Sequence, residues 1–243
     1  MGLDSRVSCY SNPGGRRIDT KGYRELVEVF KGWGPELDIR GPSTLDLQAH
    51  LDRYVASPTE VNRRAALSLI ESRPELASYL LNSLKDPVWF GDLDGAGFFN
   101  PEDNPEVRLV EGERGTLYQA DGWPALRYLE QIVASVTDVQ AARIVSIVRA
   151  ISADADRRSI DNWRTWWSLA TVFSQLPLDV LTDDDIEMTR RWLVSRFDAD
   201  MVGHELGVKL LPRLLDSPKS GDWHKATLLA DVLSMVRPTG EAT

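Results

Sequence analysis

The chain has 243 residues, of which 42% are hydrophobic, so it is long enough to bury a sizeable core without disulfides. A single cysteine excludes an internal disulfide, and with only three histidines we expect neither a metal site nor a cofactor. The net charge of −9 disfavours nonspecific binding to nucleic acid or anionic membranes. The N-terminus lacks a signal-peptide core and no run of about 18 apolar residues occurs, so we expect a cytoplasmic protein.

The N-terminal third predicts a lead-in followed by short helices. Residues 1–19 are polar and turn-rich, which predicts a flexible lead-in before a short helix at Tyr23–Lys31. Three amphipathic helices are predicted between residues 43 and 85, with Thr59 as the cap of the second. Their connections are minimal, which favours antiparallel neighbours.

Residues 86–122 interrupt this pattern and predict a structured insertion. Asp86-Pro87 is typical of a helix cap followed by proline at the first helical position. Glycines then end the helical turn, and the apolar segments on either side of Glu111–Gly115 give a weak β-hairpin signal. The glycine-rich segment Gly91–Gly97 matches neither a Walker loop nor an EF-hand, so we interpret it as a helix-ending turn.

The second half contains helix pairs that recur about every 40 residues. Predicted first helices begin near Asp121, Asp161 and Asp200, and predicted second helices near Thr137, Thr182 and Asp222. The apolar positions correspond: Leu126, Leu129, Ile132 and Val133 match Trp166, Leu169, Val172 and Phe173, and these match Val208, Leu211, Leu214 and Leu215. A pair of helices cannot bury its apolar face alone, so neighbouring pairs are expected to stack.

This pattern resembles HEAT or armadillo repeats, which are all-α solenoids of stacked antiparallel helix pairs. The resemblance is clearest over residues 121–236 and implies one helical-repeat domain over 20–236, with a C-terminal tail at 237–243. A narrower resemblance, to helical regions of large bacterial multidomain proteins, some similar to NTPases or defence-system proteins, is carried by Lys85–Phe90, Gly97–Phe99, Pro101 and Trp123–Leu129.

Two aromatic groups are the candidate binding sites. Three tryptophans share one predicted helix face, and with nearby arginines they predict either an inter-repeat core or a binding groove formed by Trp163, Trp166, Trp167, Arg164, Arg190 and Arg191. A second group either pins the insertion to the helical body or forms a partner-binding knob; its members are Trp89, Phe90, Phe98 and Phe99.

No catalytic signature occurs in the sequence. His204-Glu205 lacks the second histidine of a zincin, and the acidic run Asp183–Asp185 is typical of a helix N-terminus. We therefore expect a non-catalytic scaffold or adaptor that binds a protein or peptide, as a module of a bacterial multi-component system.

Three further possibilities remain open. The first is a nucleic-acid-binding or DNA-repair solenoid, because the Trp/Arg group resembles that of HEAT-like DNA glycosylases; the acidic pI and the lack of a matching catalytic aspartate depart from that family. The second is a hydrolase with its site in the insertion. The third is a homodimer formed through an exposed C-terminal end face that carries Leu228, Leu229, Val232, Leu233 and Val236.

Overall fold

The computed structural model describes residues 44–112, 115–194 and 199–234. This part of the chain is mostly helical, as the sequence predicts, with one two-stranded antiparallel sheet. The predicted lead-in, the helix at Tyr23–Lys31 and the tail at 237–243 lie outside these residues. No helix within them is long and apolar enough to cross a membrane.

The helices follow one another with short connections. They are α1 (Thr44–Ala56), α2 (Glu60–Ser72), α3 (Ala77–Ser83), α4 (Phe90–Gly95), α5 (Pro124–Ile132), α6 (Asp138–Arg158), α7 (Trp163–Phe173), α8 (Asp183–Leu193), α9 (Ala199–Glu205), α10 (Leu211–Leu215) and α11 (Ser220–Leu233). A π-helical turn, Leu206–Leu210, joins α9 to α10. The strands β1 (Arg108–Gly112) and β2 (Gly115–Gln119) form the predicted hairpin between α4 and α5, with Leu109 opposite Tyr118.

Four of the predicted caps begin helical segments, because each supplies an oxygen to an otherwise unpaired backbone amide. Thr59 accepts from the amide of Asn62 at α2, and Asp86 from that of Val88. Thr137 and Thr182 both form complete capping boxes, at α6 and α8. These caps are confirmed.

Two series of helices contact one another in chain order, and they are called layers below. The first layer is α3, α5, α7 and α9, and the second is α6, α8 and α11. The short helix α4 lies between α2 and α6, because Asp92 pairs with Arg63 of α2 and Asp94 with Arg143 of α6. The first residues of the predicted insertion therefore take a place in the second layer.

The apolar positions predicted for α5 and α7 are fully or almost fully buried, from Leu126 to Phe173. The third predicted set is correct only in part: Leu214 is buried and Leu211 partly buried, but Val208 and Leu215 are exposed. The buried stripe of this segment is Val202, Leu206, Leu210 and Leu214. These fall every four residues because the π-helical turn adds a residue to the helical repeat.

Two groups considered as possible contact surfaces are largely buried. Trp89, Phe90 and Phe99 belong to the core, with Phe98 packed against it, so this group fixes the insertion to the helices and is not a knob. Trp89 meets Tyr54 edge-on, with ring centroids 4.8 Å apart.

On α11, Leu229 and Val232 are also buried, and Leu228 and Leu233 are partly buried. The predicted end face is therefore mostly core, because these residues pack against α8 and α10. Val236 lies outside the described residues.

Candidate binding groove on the first helical layer

An open groove with a volume of about 480 Å³ crosses the surface of the first layer. Its lining runs from α3 through α5 and α7 to the end of α9, and includes Asn82, Arg127, Glu130, Arg164, Trp167 and Lys209. This volume lies in the range of ligand-binding pockets, about 300–1,000 Å³. Because successive helices supply the lining, the groove exists only when the first layer is assembled.

Trp167 gives the groove an apolar surface. Its side chain is 43% exposed, whereas the adjacent Trp166 is fully buried. Successive residues of an α-helix point about 100° apart, so the α7 stripe that buries Trp166 and Leu169 turns Trp167 outward. An exposed indole presents both a large apolar face and an N–H donor, which is why tryptophan is enriched at binding hot spots.

The charges of the groove are unevenly paired. Arg127 forms an ion pair with Glu130 at 3.0 Å, and Lys209 lies 2.5 Å from a carboxylate oxygen of Glu205. Arg164 is exposed and forms no ion pair with any residue that the structure describes. Its guanidinium lies beside the glycine at the groove rim, since a Cβ placed on Gly122 would be 3.9 Å from Arg164 Nη1.

The structure divides the predicted Trp/Arg group. Arg164 and Trp167 line the groove, whereas Trp163 is partly buried and lies outside its lining. Trp166 is a core residue whose indole N–H donates to Asp161 at 3.1 Å. Two of the six predicted residues are therefore brought together in a concave surface.

The other two arginines belong to the second layer. Arg191 lies over the Trp166 ring, with its guanidinium carbon 5.4 Å from the centroid, and it also pairs with Asp156 of α6. Arg190 pairs with Glu187 and with Asp231 of α11. Both guanidinium groups therefore join second-layer helices, and neither lines the groove.

Sequence reasoning missed Arg127, Lys209 and Asn82 as groove residues. A signal for the first was present, because the offset of 40 residues that aligns Leu126 with Trp166 also aligns Arg127 with Trp167. The repeat offset was applied to apolar positions alone. A signal for Lys209, which lies within the π-helical turn, was present as well, because the alignment of Trp166 with Val208 also aligns Trp167 with Lys209.

The groove offers three kinds of binding group: one half-exposed aromatic face, one cation without an ion pair among the described residues, and several polar side chains. In the part of the chain that the structure describes, no three His, Cys, Asp or Glu side chains are grouped to hold a metal ion. No family model, no curated protein and no solved structure matches the chain. The geometry of the groove is therefore what supports a functional proposal.

Proposed function

We propose that this chain is a HEAT-like helical-repeat scaffold, without catalytic activity, that binds a peptide segment of a protein partner in the first-layer groove. The observation that carries the proposal is the groove itself, in which Trp167 and Arg164 of α7 line one concave surface with residues from neighbouring helices. Helical repeats characteristically bind partners on extended surfaces of this kind.

The order of the helices supports a repeat. The first-layer helices after the insertion begin at Pro124, Trp163 and Ala199, which are 39 and 36 residues apart. In the second layer a similar link recurs between consecutive helices: Arg143 pairs with Asp94, Arg149 with Asp185, and Arg190 with Asp231. Recurrent contacts between nearest neighbours are typical of solenoids.

The dimensions of the groove suit an extended peptide. Packed helices lie about 8–10 Å apart, so a path from α3 to α9 spans roughly 25–30 Å. An extended chain rises about 3.3 Å per residue, so a peptide of about eight residues would cover it. Trp167 lies on α7, in the inner part of this path, where binding hot spots concentrate.

The nucleic-acid alternative has weaker support. It depended on Arg190 and Arg191 as free cations, and both are paired with carboxylates. A polyanionic strand needs several unpaired cations along its backbone, because affinity scales with the number of phosphates that are neutralised.

The proposal is tested with a phage-displayed library of random peptides selected against the full chain. We expect selected peptides to lose about thirtyfold or more in affinity for Trp167→Ala, because removal of a hot-spot residue costs about 2 kcal/mol or more. The matched control is Trp223→Ala, which removes an indole that is 59% exposed and lies outside the groove.

Affinities are measured by fluorescence anisotropy, with folding of both variants checked by circular dichroism. Equal losses for Trp167→Ala and Trp223→Ala, or the recovery of no binding peptide, would refute the groove as a peptide site.

A further inference from the structure

The acidic side chains of the groove are already neutralised, while one of its cations is not. Glu130 and Glu205 form ion pairs with Arg127 and Lys209. Arg164 has no counter-charge among the described residues, although the chain as a whole carries a net charge of −9. The groove therefore presents a local positive charge on an acidic protein.

We infer that the groove selects an acidic peptide segment, in which the carboxylate of an Asp or Glu side chain binds Arg164 while a neighbouring apolar side chain packs on Trp167. This inference rests on the proposed function and names the class of peptide. Arg164 and Trp167 are separated by one helical turn of α7, so both side chains reach the same stretch of groove. A guanidinium binds a carboxylate through two parallel hydrogen bonds, which gives direction as well as affinity.

The overall negative charge does not cancel this preference. At physiological ionic strength, exposed charges more than about 8 Å apart are largely screened from each other. The charges that a bound peptide meets are those of the groove, where the two ion pairs sum to zero and Arg164 remains. The distant acidic residues are expected to slow association and to have little effect on dissociation.

Phosphate chains fit this arrangement less well than a single carboxylate. Consecutive phosphates would bring several negative charges into a groove in which Arg164 alone has no ion pair among the described residues. A peptide carries its charge at one side chain and can place uncharged residues against the rest of the groove. The observations therefore favour an acidic peptide over a nucleic acid.

The test is a double-mutant cycle with the peptides selected on the unmodified chain, synthesised with amidated C-termini. Changing the acidic residue of the peptide to its amide should weaken binding to the unmodified chain about tenfold to a hundredfold, the range for hydrogen bonds between charged groups. With Arg164→Gln the same change should have almost no effect, because the partner is gone. Arg53→Gln, at an exposed arginine of α1 outside the groove, should preserve the full difference.

The outcomes separate the two proposals. Selected peptides that need Trp167 but contain no acidic residue, or that bind Arg164→Gln unchanged, would overturn the inference and leave the peptide site standing. Loss of binding on C-terminal amidation would overturn it in favour of a terminal carboxylate. Competition by single-stranded oligothymidylate that disappears in Arg164→Gln would assign the groove to nucleic acid. A selection with no Trp167-dependent peptide would remove both proposals.

Discussion

The guanidinium of Arg149 on α6 donates two hydrogen bonds to the carboxylate of Asp185 on α8, at 2.6 and 2.7 Å. The Asp185 side chain is only 2% exposed, and it also accepts hydrogen bonds from the amide and hydroxyl of Thr182. One carboxylate thus caps α8 and joins two second-layer helices.

Asp185→Asn should lower the free energy of unfolding by about 2 kcal/mol, because the amide keeps one acceptor but loses the charge that both partners bind. Arg149 is about half exposed, so water can resolvate it and limit the loss. The free energy is measured by urea unfolding. The control is Asp184→Asn at the adjacent exposed position, which should cost less than about 1 kcal/mol. Equal costs would contradict the double role of Asp185.

The same residue predicts how stability depends on pH. Burial raises the pKa of Asp185, but hydrogen bonds from Arg149 and Thr182 outweigh it and hold the pKa below its usual value. A carboxyl group with a lowered native pKa contributes stability above its unfolded pKa, about 3.9, and loses it as the pH falls through the native pKa. The difference between the unmodified chain and Asp185→Asn should be full at neutral pH and shrink below about pH 4 in urea titrations. If the stability difference between the two chains instead grew as the pH fell, the pKa of Asp185 in the folded chain would be raised and not lowered.

Ser152→Ala should destabilise the junction of α6 and α8 by about 1–3 kcal/mol. The Trp192 indole N–H donates to the Ser152 hydroxyl at 3.0 Å, and both side chains are buried, so the variant leaves a buried donor unpaired. Ser146→Ala makes the same change on the exposed face of α6 and should be nearly neutral. The midpoints of thermal unfolding of the two variants are compared. Indistinguishable midpoints would show that the hydrogen bond between Trp192 and Ser152 does not contribute to stability.

Asn162 links the insertion to α7, and Asn162→Asp should loosen that link. Its amide oxygen caps α7, and its amide nitrogen donates to the carbonyl oxygens of Pro105 and Asp121 at 2.7 and 3.1 Å. Aspartate can still accept the capping hydrogen bonds, but its buried carboxylate would face two carbonyl oxygens without a donor between them. We expect this repulsion to lower the free energy of unfolding by about 2–4 kcal/mol.

Hydrogen exchange should rise first in residues 101–112 and 115–122. Asn82→Asp, at an exposed position, serves as the control. Uniform loss of protection across all helices would indicate that Asn162 does not act on the insertion in particular.

Ser159→Gly should stabilise the chain by up to about 1 kcal/mol. Ser159 ends α6 with φ of 56°, a left-handed conformation that costs a side chain with a Cβ about 1–2 kcal/mol. Part of the gain is offset by the greater freedom of glycine in the unfolded chain. Urea unfolding measures the change, with Ser159→Ala as a control that keeps the Cβ and should give no gain. If Ser159→Gly lowered the free energy of unfolding, the serine side chain would stabilise the fold by more than its left-handed backbone conformation costs.

Local signals predicted local structure well. The caps at Thr59, Asp86, Thr137 and Thr182 and the position of the hairpin depend on residues close in sequence, and all are confirmed. The start of α7 differed by only two residues, since Asn162 is the cap and Trp163 the first helical residue. A capping residue competes for a few nearby amides, so its effect is visible in the sequence itself.

The candidate groove was predictable only in part. The exposed indole and the exposed guanidinium both lie on α7, one turn apart, so the sequence placed Arg164 and Trp167 together. Arg190 and Arg191 are also close to them in sequence, yet pairing with Asp231 and Asp156 joins them to the second layer. An arginine forms an ion pair only if folding brings a helix with a suitably placed carboxylate next to it, and the local sequence does not show this.

The sequence by itself determined which segments are helical, where most of them begin, and that apolar stripes recur about every 40 residues, because these properties follow from short-range periodicity and capping. Only the tertiary structure decided the register after the π-helical turn Leu206–Leu210, the burial of Trp166 beside the exposed Trp167, and the partner of each arginine. Packing selects among several locally permitted arrangements by burying the most apolar surface while pairing charges, and that choice requires all the helices at once.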